Sequence, residues 1–231
     1  TCKIWDAETR ACLSTHTFGK DVEDQQVGCL WQGDYLVSLS LRGDFTYIDP
    51  NSSEPSRVLR GHNKGINSVS YDKATSTIYT GGVEGVVTSW DRNTATNRGF
   101  AGKPHANHVI AVNVQRDSLV TTALDETVRS TPTSSLQYGD GNKIGGLPLG
   151  TAVGSLTDLV VVATRETVEV LRGGKVVHKQ DLAGASVAIS PDETQVVVGG
   201  KDNSLHVFEI ERDVLKKVES FPGHRGVINA L

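Results

Sequence analysis

The side chains of this chain whose spacing could support metal chemistry are His105 and His108, which form a His-x-x-His pair. Zinc is held by three or four protein ligands, and no third ligand lies near this pair in the sequence. A glycine-rich segment at residues 139–146 could suggest a phosphate-binding loop. It lacks the lysine–serine/threonine ending and the strand-to-helix setting of such loops, so we predict a long hairpin turn instead. The sequence therefore predicts no metal and no cofactor.

Nucleophilic catalysis is not indicated either. Serine, histidine and aspartate are all present, but no nucleophile elbow of G-x-S-x-G form occurs. No set of polar residues is expected to converge on a catalytic channel. We therefore predict that the chain is not an enzyme, that it has no catalytic residue, and that it works by binding.

The histidines fit a structural role better, as members of buried hydrogen-bond relays. His62 follows a glycine and lies 28 residues before Trp90. We predict that His62 bonds the carboxylate of Glu84, and that Thr80 links the imidazole to the Trp90 indole N–H. Such a network stabilises a fold only when every member is paired.

A second relay is predicted one repeat later, from His105, Thr121 and Asp125. Thr131 stands where the tryptophan of the first relay would fall. Pro104 removes a backbone donor beside the histidine and makes this relay less certain than the first.

These relay residues belong to a line that recurs along the chain: a polar turn, an alternating stretch and an aromatic or apolar anchor. The anchors follow one another at intervals of about forty residues, and two of the lines end in Trp-Asp. They are Trp5, Ile48, Trp90, Thr131, Leu171 and Phe208. This pattern predicts an all-β chain of WD-repeat β-propeller blades, each a four-stranded antiparallel sheet with the recurring line as its third strand. The repeat ending at Leu171 keeps almost none of the relay and is expected to be the least regular.

Composition limits the classes of partner. The formal net charge is −4 and the pI is near 6.0, with no basic stripe, so we predict no nucleic-acid partner. No apolar run reaches the length of a transmembrane helix, so no membrane partner is predicted. Cys2, Cys12 and Cys29 are too few and too sparse for a disulfide framework, and we expect them to be core thiols in a reducing compartment.

Several segments resemble the actin-interacting protein 1 family. The most distinctive begins V-E-D-Q-Q-V-G-C-L-W-Q at residue 22, and generic WD repeats do not carry it. The similarity continues in G-H-N-K-G-I-N-S-V at 61–69, in the line ending at Trp90, and in V-V-V-G-G-K-D-N-S-L-H-V-F at 196–208. The resemblance implies two joined seven-bladed propellers that bind cofilin-decorated actin filaments. It further implies that they promote filament disassembly, limit barbed-end regrowth and act in the cytoplasm at the actin cytoskeleton.

The resemblance also suggests how the chain is divided. Residues 1–18 supply the last two strands of one blade, and residues 223–231 the first strand of another. With a linker placed at Asn51–Arg60, residues 1–55 are the last blades of a first seven-bladed propeller. Residues 56–231 are then the first four blades, and the start of a fifth, of a second propeller. The chain is expected to be a piece of a longer protein.

Loops at the blade tops are the predicted sites of contact with actin filaments and with cofilin or its relative ADF. The exposed candidates are Asn63, Lys64, Asn107 and Arg225. For any one of them taken singly, an ordinary solvated turn residue is the favoured interpretation.

A second functional class is compatible with the repeats. A WD-repeat adaptor or scaffold could present substrates in a multi-protein complex such as a ubiquitin ligase, since one fold hosts many functions. The segment at residues 22–50 favours the actin-binding interpretation, because an adaptor has no reason to carry it.

Overall fold

The computed structural model describes residues 1–33, 35–41, 44–52, 54–59, 61–94 and 96–231. Part of the recurring line at 42–49 (Arg42 and Gly43) and part of the expected linker (Ser53 and Arg60) lie outside the described residues. Contacts between Cα atoms divide the chain into two compact units, Thr1–Asn63 and Lys64–Leu231.

The first unit contains a two-stranded sheet and a four-stranded sheet. The two-stranded sheet pairs β1 (Cys2–Trp5) with β2 (Cys12–His16). A 3-10 turn at Val22–Asp24 leads into the larger sheet. That sheet consists of β3 (Gln26–Gln32), β4 (Tyr35–Ser40), β5 (Phe45–Ile48) and β6 (Pro55–Leu59).

The second unit is a succession of four-stranded sheets, each made of strands that are consecutive in sequence and antiparallel. The first is β7 (Ile66–Asp72), β8 (Thr77–Gly82), β9 (Val87–Asp91) and β10 (Asn97–Gly99). The second is β11 (Val109–Gln115), β12 (Ser118–Ala123), β13 (Thr127–Pro132) and β14 (Gly141–Lys143). The third is β15 (Pro148–Val153), β16 (Val160–Thr164), β17 (Thr167–Arg172) and β18 (Lys175–Asp181). The fourth is β19 (Gly184–Ile189), β20 (Gln195–Gly200), β21 (Ser204–Glu211) and β22 (Val214–Pro222).

The recurring sequence line forms the third strand of every one of these four-stranded sheets: β5, β9, β13, β17 and β21. The residues of this line alternate in polarity. Successive side chains of a strand point to opposite faces, so such an alternation favours a strand with one face toward the core. The prediction of an all-β chain built from four-stranded antiparallel sheets is therefore confirmed.

The core of the second unit lies between neighbouring sheets. One cluster joins the first two sheets of this unit through Tyr79, Val87, Val109, Val112 and Leu119. Further clusters join the second sheet to the third and the third to the fourth, largely through valine and leucine. Each sheet buries its apolar side chains against the next sheet. A sheet is therefore stable only when its neighbours are present.

Three local expectations were wrong. The repeat ending at Leu171 was expected to be the least regular. It forms a complete four-stranded sheet that ends in β18, and like its neighbours it has one bulge between its first two strands. Burial of nearly all of β16 and β17 takes the place of the missing relay.

The glycine-rich segment at 139–146 is not only a turn, since it contains β14. Residues 223–231 form no strand, although Ile228 is buried and its carbonyl accepts a hydrogen bond from the Ser186 hydroxyl at 2.7 Å.

The expected linker and the expected core thiols also differ from the structure. Part of the segment Asn51–Arg60 forms β6, which pairs with β5, so it completes a sheet of the first unit. The division between the two units falls after Asn63. Cys12 and Cys29 are exposed and only Cys2 is partly buried. Thiols in short strands face whichever side the alternation gives them, and composition alone cannot decide that side.

Candidate functional site

The strand order places two kinds of loop at the same end of the second unit. These are the connections that lead into each first strand and the turns between second and third strands. Backbone hydrogen bonds join them: Val83 N–H to the Gly65 carbonyl at 2.9 Å, and His105 N–H to the Gly85 carbonyl at 3.2 Å. We call this the upper end; it comprises residues 64–65, 83–86, 100–108, 124–126, 144–147, 165–166, 182–183, 201–203 and 223–225. The remaining turns form the lower end.

The residues predicted to contact partners are all exposed. Lys64, Asn107 and Arg225 lie in three different parts of the upper end, and Asn63 is the last residue of the first unit. The Asn107 side chain accepts a hydrogen bond from the following amide, that of His108, at 2.8 Å. Three of these residues thus lie at the same end of the second unit, but they do not form one contiguous group.

The His105 side chain is buried at the upper end and is held by several partners. Its Nε2 lies 2.9 Å from the Thr121 hydroxyl, and its Nδ1 lies 3.2 Å from Asp125 and 3.0 Å from the Thr127 hydroxyl. Burial lowers the pKa of His105, against the opposing effect of the Asp125 carboxylate. These hydrogen bonds form although Pro104 precedes the histidine.

Asp125 also ties the connection before β11 to the turn before β13. Its carboxylate accepts hydrogen bonds from the Ala106 amide at 2.8 Å and from the Thr127 hydroxyl at 2.7 Å. Partial burial acts to raise the pKa of Asp125, but these hydrogen bonds outweigh it and leave the pKa lowered. The carboxylate therefore acts as a structural acceptor.

In the preceding sheet the Trp90 indole N–H donates to the Thr80 hydroxyl at 2.7 Å. Thr80 and Trp90 are thus brought together as the sequence suggested. His62 belongs to the first unit and Glu84 to the second, so the bond between them stays a prediction.

Two further sheets use other polar side chains, which the sequence reasoning missed. Glu169 on β17 is 1% exposed and accepts the Gly145 amide at 3.0 Å on both carboxylate oxygens. Lys179 on β18 lies 3.5 Å from the same carboxylate. Glu169 therefore joins the connection before β15 to a third strand, as His105 joins its own connection to Thr121.

The last sheet takes its histidine from the third strand. His206 Nε2 lies 3.0 Å from the Asp202 carboxylate, and Nδ1 lies 2.9 Å from the Ser220 hydroxyl. The only sequence signal would have been the D-x-x-x-H spacing, which places a side chain of β21 beside the turn that precedes it. Serine, histidine and aspartate meet here, but the histidine is 4% exposed and bridges a turn to the neighbouring strand.

Within the part of the chain that the structure describes, no group of three or more His, Cys, Asp or Glu side chains is placed to hold a metal ion. The same residues include no helix with the length and apolar character needed to cross a bilayer.

Consecutive four-stranded sheets, recurring at about forty residues and tied by His–Thr and Trp–Thr hydrogen bonds, define a protein of the WD-repeat β-propeller class. The family model described as "WD domain, G-beta repeat" matches residues 53–91 and 177–209. A chain from the crystal structure of a mitotic checkpoint complex superposes with a TM-score of 0.66 over 99% of this chain and 73% of that one. At 16% identity this likeness concerns the fold alone.

The relatives are more specific than the class. The chain is 38% identical over 94% of its length to "WD repeat-containing protein 1-B" of Xenopus laevis, and 34% identical over 95% to "Actin-interacting protein 1" of Drosophila melanogaster. It is 36% identical over 98% to the "66 kDa stress protein" of Physarum polycephalum. The resemblance to the actin-interacting protein 1 family is thereby confirmed. The chain spans 37–38% of the length of these relatives.

Proposed function

We propose that this chain is part of an actin-binding WD-repeat protein that works with cofilin or ADF to promote the disassembly of actin filaments and to limit barbed-end regrowth. The observation that carries the proposal is similarity over nearly the whole chain to relatives named "Actin-interacting protein 1". The proposed place of action is the cytoplasm, at the actin cytoskeleton. Neither nucleic acid nor membrane is a proposed partner.

The proposed mechanism is binding without bond chemistry. A stack of sheets tied by buried hydrogen bonds holds its loops in fixed positions, so the upper end can present a broad rigid surface. Lys64, Asn107 and Arg225 are exposed on that surface and supply two cationic groups and one amide. A surface that binds the cofilin-distorted filament more tightly than the undistorted one would shift the filament toward breakage. Only this difference in affinity can drive the shift.

The proposal is tested by co-sedimentation of the 231-residue chain with actin filaments, with and without cofilin. We expect severalfold more chain in the pellet when cofilin is present, and faster loss of filament mass in the same samples. Equal pelleting with and without cofilin would contradict the proposed preference. Recovery of a ubiquitin-ligase core in place of actin and cofilin in a pulldown would favour the adaptor function.

The contact surface is tested by combining Lys64→Ala, Asn107→Ala and Arg225→Ala, with Asn63→Ala made separately. A matched control combines Lys73→Ala, Asn93→Ala and Lys175→Ala, which remove the same kinds of side chain from exposed positions at the lower end. The upper-end variant is expected to lose cofilin-dependent pelleting and the control to keep it. If both variants pellet like the unchanged chain, the assignment of these residues is wrong.

A further inference from the structure

The two sheets of the first unit meet at the small apolar cluster of Ile4, Leu36 and Ile48, and each sheet carries a cysteine on the face to which this cluster belongs. In the larger sheet Cys29 of β3 lies opposite Ser38 of β4. Side chains directly opposite in antiparallel strands share one face. Ser38 is 1% exposed, so this face is covered along β4, whereas Cys29 on the edge strand β3 stays exposed.

The second cysteine comes from the strand that covers this face. Cys2 and Ile4 alternate with exposed neighbours on β1 and therefore point to the same side. Ile4 packs against Leu36 and Ile48 of the larger sheet, and Cys2 packs against this cluster. Leu36 occupies the same face of β4 as Ser38, two residues away. Cys2 and Cys29 consequently approach the same interface from opposite sheets.

The electrostatics of Cys2 agree with this placement. Burial raises the pKa of the Cys2 thiol, and the neighbouring Cys29 raises it further. Cys12 stands elsewhere in the hairpin: it pairs with Trp5 at the far end of β1, is exposed, and directs its Sγ toward the Ser14 carbonyl at 3.5 Å.

We propose that Cys2 and Cys29 are a redox-active thiol pair that forms a disulfide between the two sheets of the first unit when the chain meets a peroxide. Cys29 is the more exposed thiol and reacts first. Its thiolate attacks one oxygen of hydrogen peroxide, the O–O bond breaks, and Cys29 becomes a sulfenic acid as hydroxide leaves and is protonated to water. The Cys2 thiolate then attacks the sulfenic sulfur, the S–O bond breaks, and a second water leaves. The two sulfurs together lose two electrons, which reduce one peroxide.

The product would tie the hairpin of β1 and β2 to the sheet that begins at β3. That hairpin has two strands, and a small apolar cluster around Ile4 packs it against the larger sheet. A reversible bond at this place would let the redox state set how firmly the two sheets of the first unit are joined.

The experiment treats the folded 231-residue chain with hydrogen peroxide, blocks the remaining thiols with N-ethylmaleimide and digests the chain with trypsin without reduction. Lysine and arginine positions put the three cysteines in separate peptides, at residues 1–3, 11–20 and 21–42. We expect a cross-linked peptide that joins 1–3 to 21–42 and is lighter by two hydrogens than its parts. It should exceed every link to 11–20 by about tenfold or more, because the fold raises the effective concentration of the pair.

Three controls separate this pair from chance pairing. In urea the shorter loop between Cys2 and Cys12 should close about fourfold more readily than the loop between Cys2 and Cys29, reversing the preference. Cys12→Ser should keep the native cross-link, and Cys29→Ser should leave Cys2 open to N-ethylmaleimide. The proposal is overturned if the folded chain links Cys12 as readily as the other two. It is equally overturned if Cys2 and Cys29 are each oxidised without joining.

Discussion

The Glu193 carboxylate and the Thr157 backbone bind each other across two neighbouring sheets of the second unit. The Thr157 amide donates to Glu193 Oε1 at 3.0 Å, and the Thr157 hydroxyl donates to Oε2. Arg172 donates to the same threonine hydroxyl and to Asp213 at 2.8 Å. The turn between β19 and β20 is thus fastened to the turn between β15 and β16 at the lower end.

Replacing Glu193 by alanine removes an acceptor from the amides of Leu156 and Thr157 at once. We expect a loss of about 1 kcal/mol in the free energy of unfolding, because the site is partly exposed and solvent screens the charge. Urea unfolding followed by tryptophan fluorescence measures it. Glu219→Ala on the exposed outer strand β22 is the matched control and should change stability by less than about 0.5 kcal/mol. Equal losses in the two variants would show that the fastening contributes nothing.

The buried His105 should make stability depend on pH. Its pKa in the folded chain lies below the ordinary value because burial disfavours the charged form. Below about pH 6.5 the unfolded chain therefore binds a proton more readily than the folded chain. The contribution of His105 to the free energy of unfolding is fully present above that pH. It is lost as the pH falls toward the pKa of the folded chain.

Urea unfolding at pH 7.5 and pH 5.5 checks this expectation with His105→Gln beside the unchanged chain. Glutamine keeps a polar side chain at the position but does not titrate in this range. The unchanged chain should lose more stability on acidification than the variant does, while both keep Asp125 ionised. A variant with the same pH dependence as the unchanged chain would assign the effect to other groups.

The repeat made the architecture predictable. The third strand of each four-stranded sheet is formed by one copy of the recurring line, and each copy was visible in the sequence. The polar residues that join the sheets were predictable only where they follow the usual positions, as His105, Thr121 and Asp125 do. Glu169 and His206 sit inside strands, where alternation alone does not tell a buried polar side chain from an exposed one. Their roles depend on which neighbouring loop reaches them.

Thr131 shows how a departure from the repeat is accommodated. It is 1% exposed, and its hydroxyl accepts the Gly139 amide at 3.1 Å. The following residues bring Tyr138 inward, where its hydroxyl accepts the Val87 amide at 2.7 Å. The segment after β13 therefore packs back against Thr131 through Gly139, which the local sequence did not reveal.

Restoring the usual residue should consequently destabilise the chain. Thr131→Trp would overfill a packed position, and we expect a loss of about 2 kcal/mol or more in the free energy of unfolding. Thr131→Val keeps the shape, removes only the acceptor for Gly139, and should cost about 1 kcal/mol. Chemical denaturation of the two variants measures the difference. A tryptophan variant as stable as the unchanged chain would mean that the position is not closely packed.

Gly85 is the place where the backbone leaves no room for a side chain. It has φ +85°, in the left-handed region, and a Cβ there would lie 2.2 Å from the His105 carbonyl oxygen. Its own carbonyl accepts the His105 amide at 3.2 Å, so the turn between β8 and β9 and the connection before β11 fit each other closely.

Gly85→Ala must therefore shift backbone against backbone, and it should lower the free energy of unfolding by about 3 kcal/mol or more. Gly99→Ala on β10 is the matched control, since a Cβ there meets nothing within 4 Å. The control should change stability by less than about 0.5 kcal/mol. Because the turn contacts the connection that carries Asn107, the Gly85 variant should also lose cofilin-dependent pelleting at temperatures where it is still folded. A stable Gly85 variant that lost no binding would show that this turn does not position the upper end.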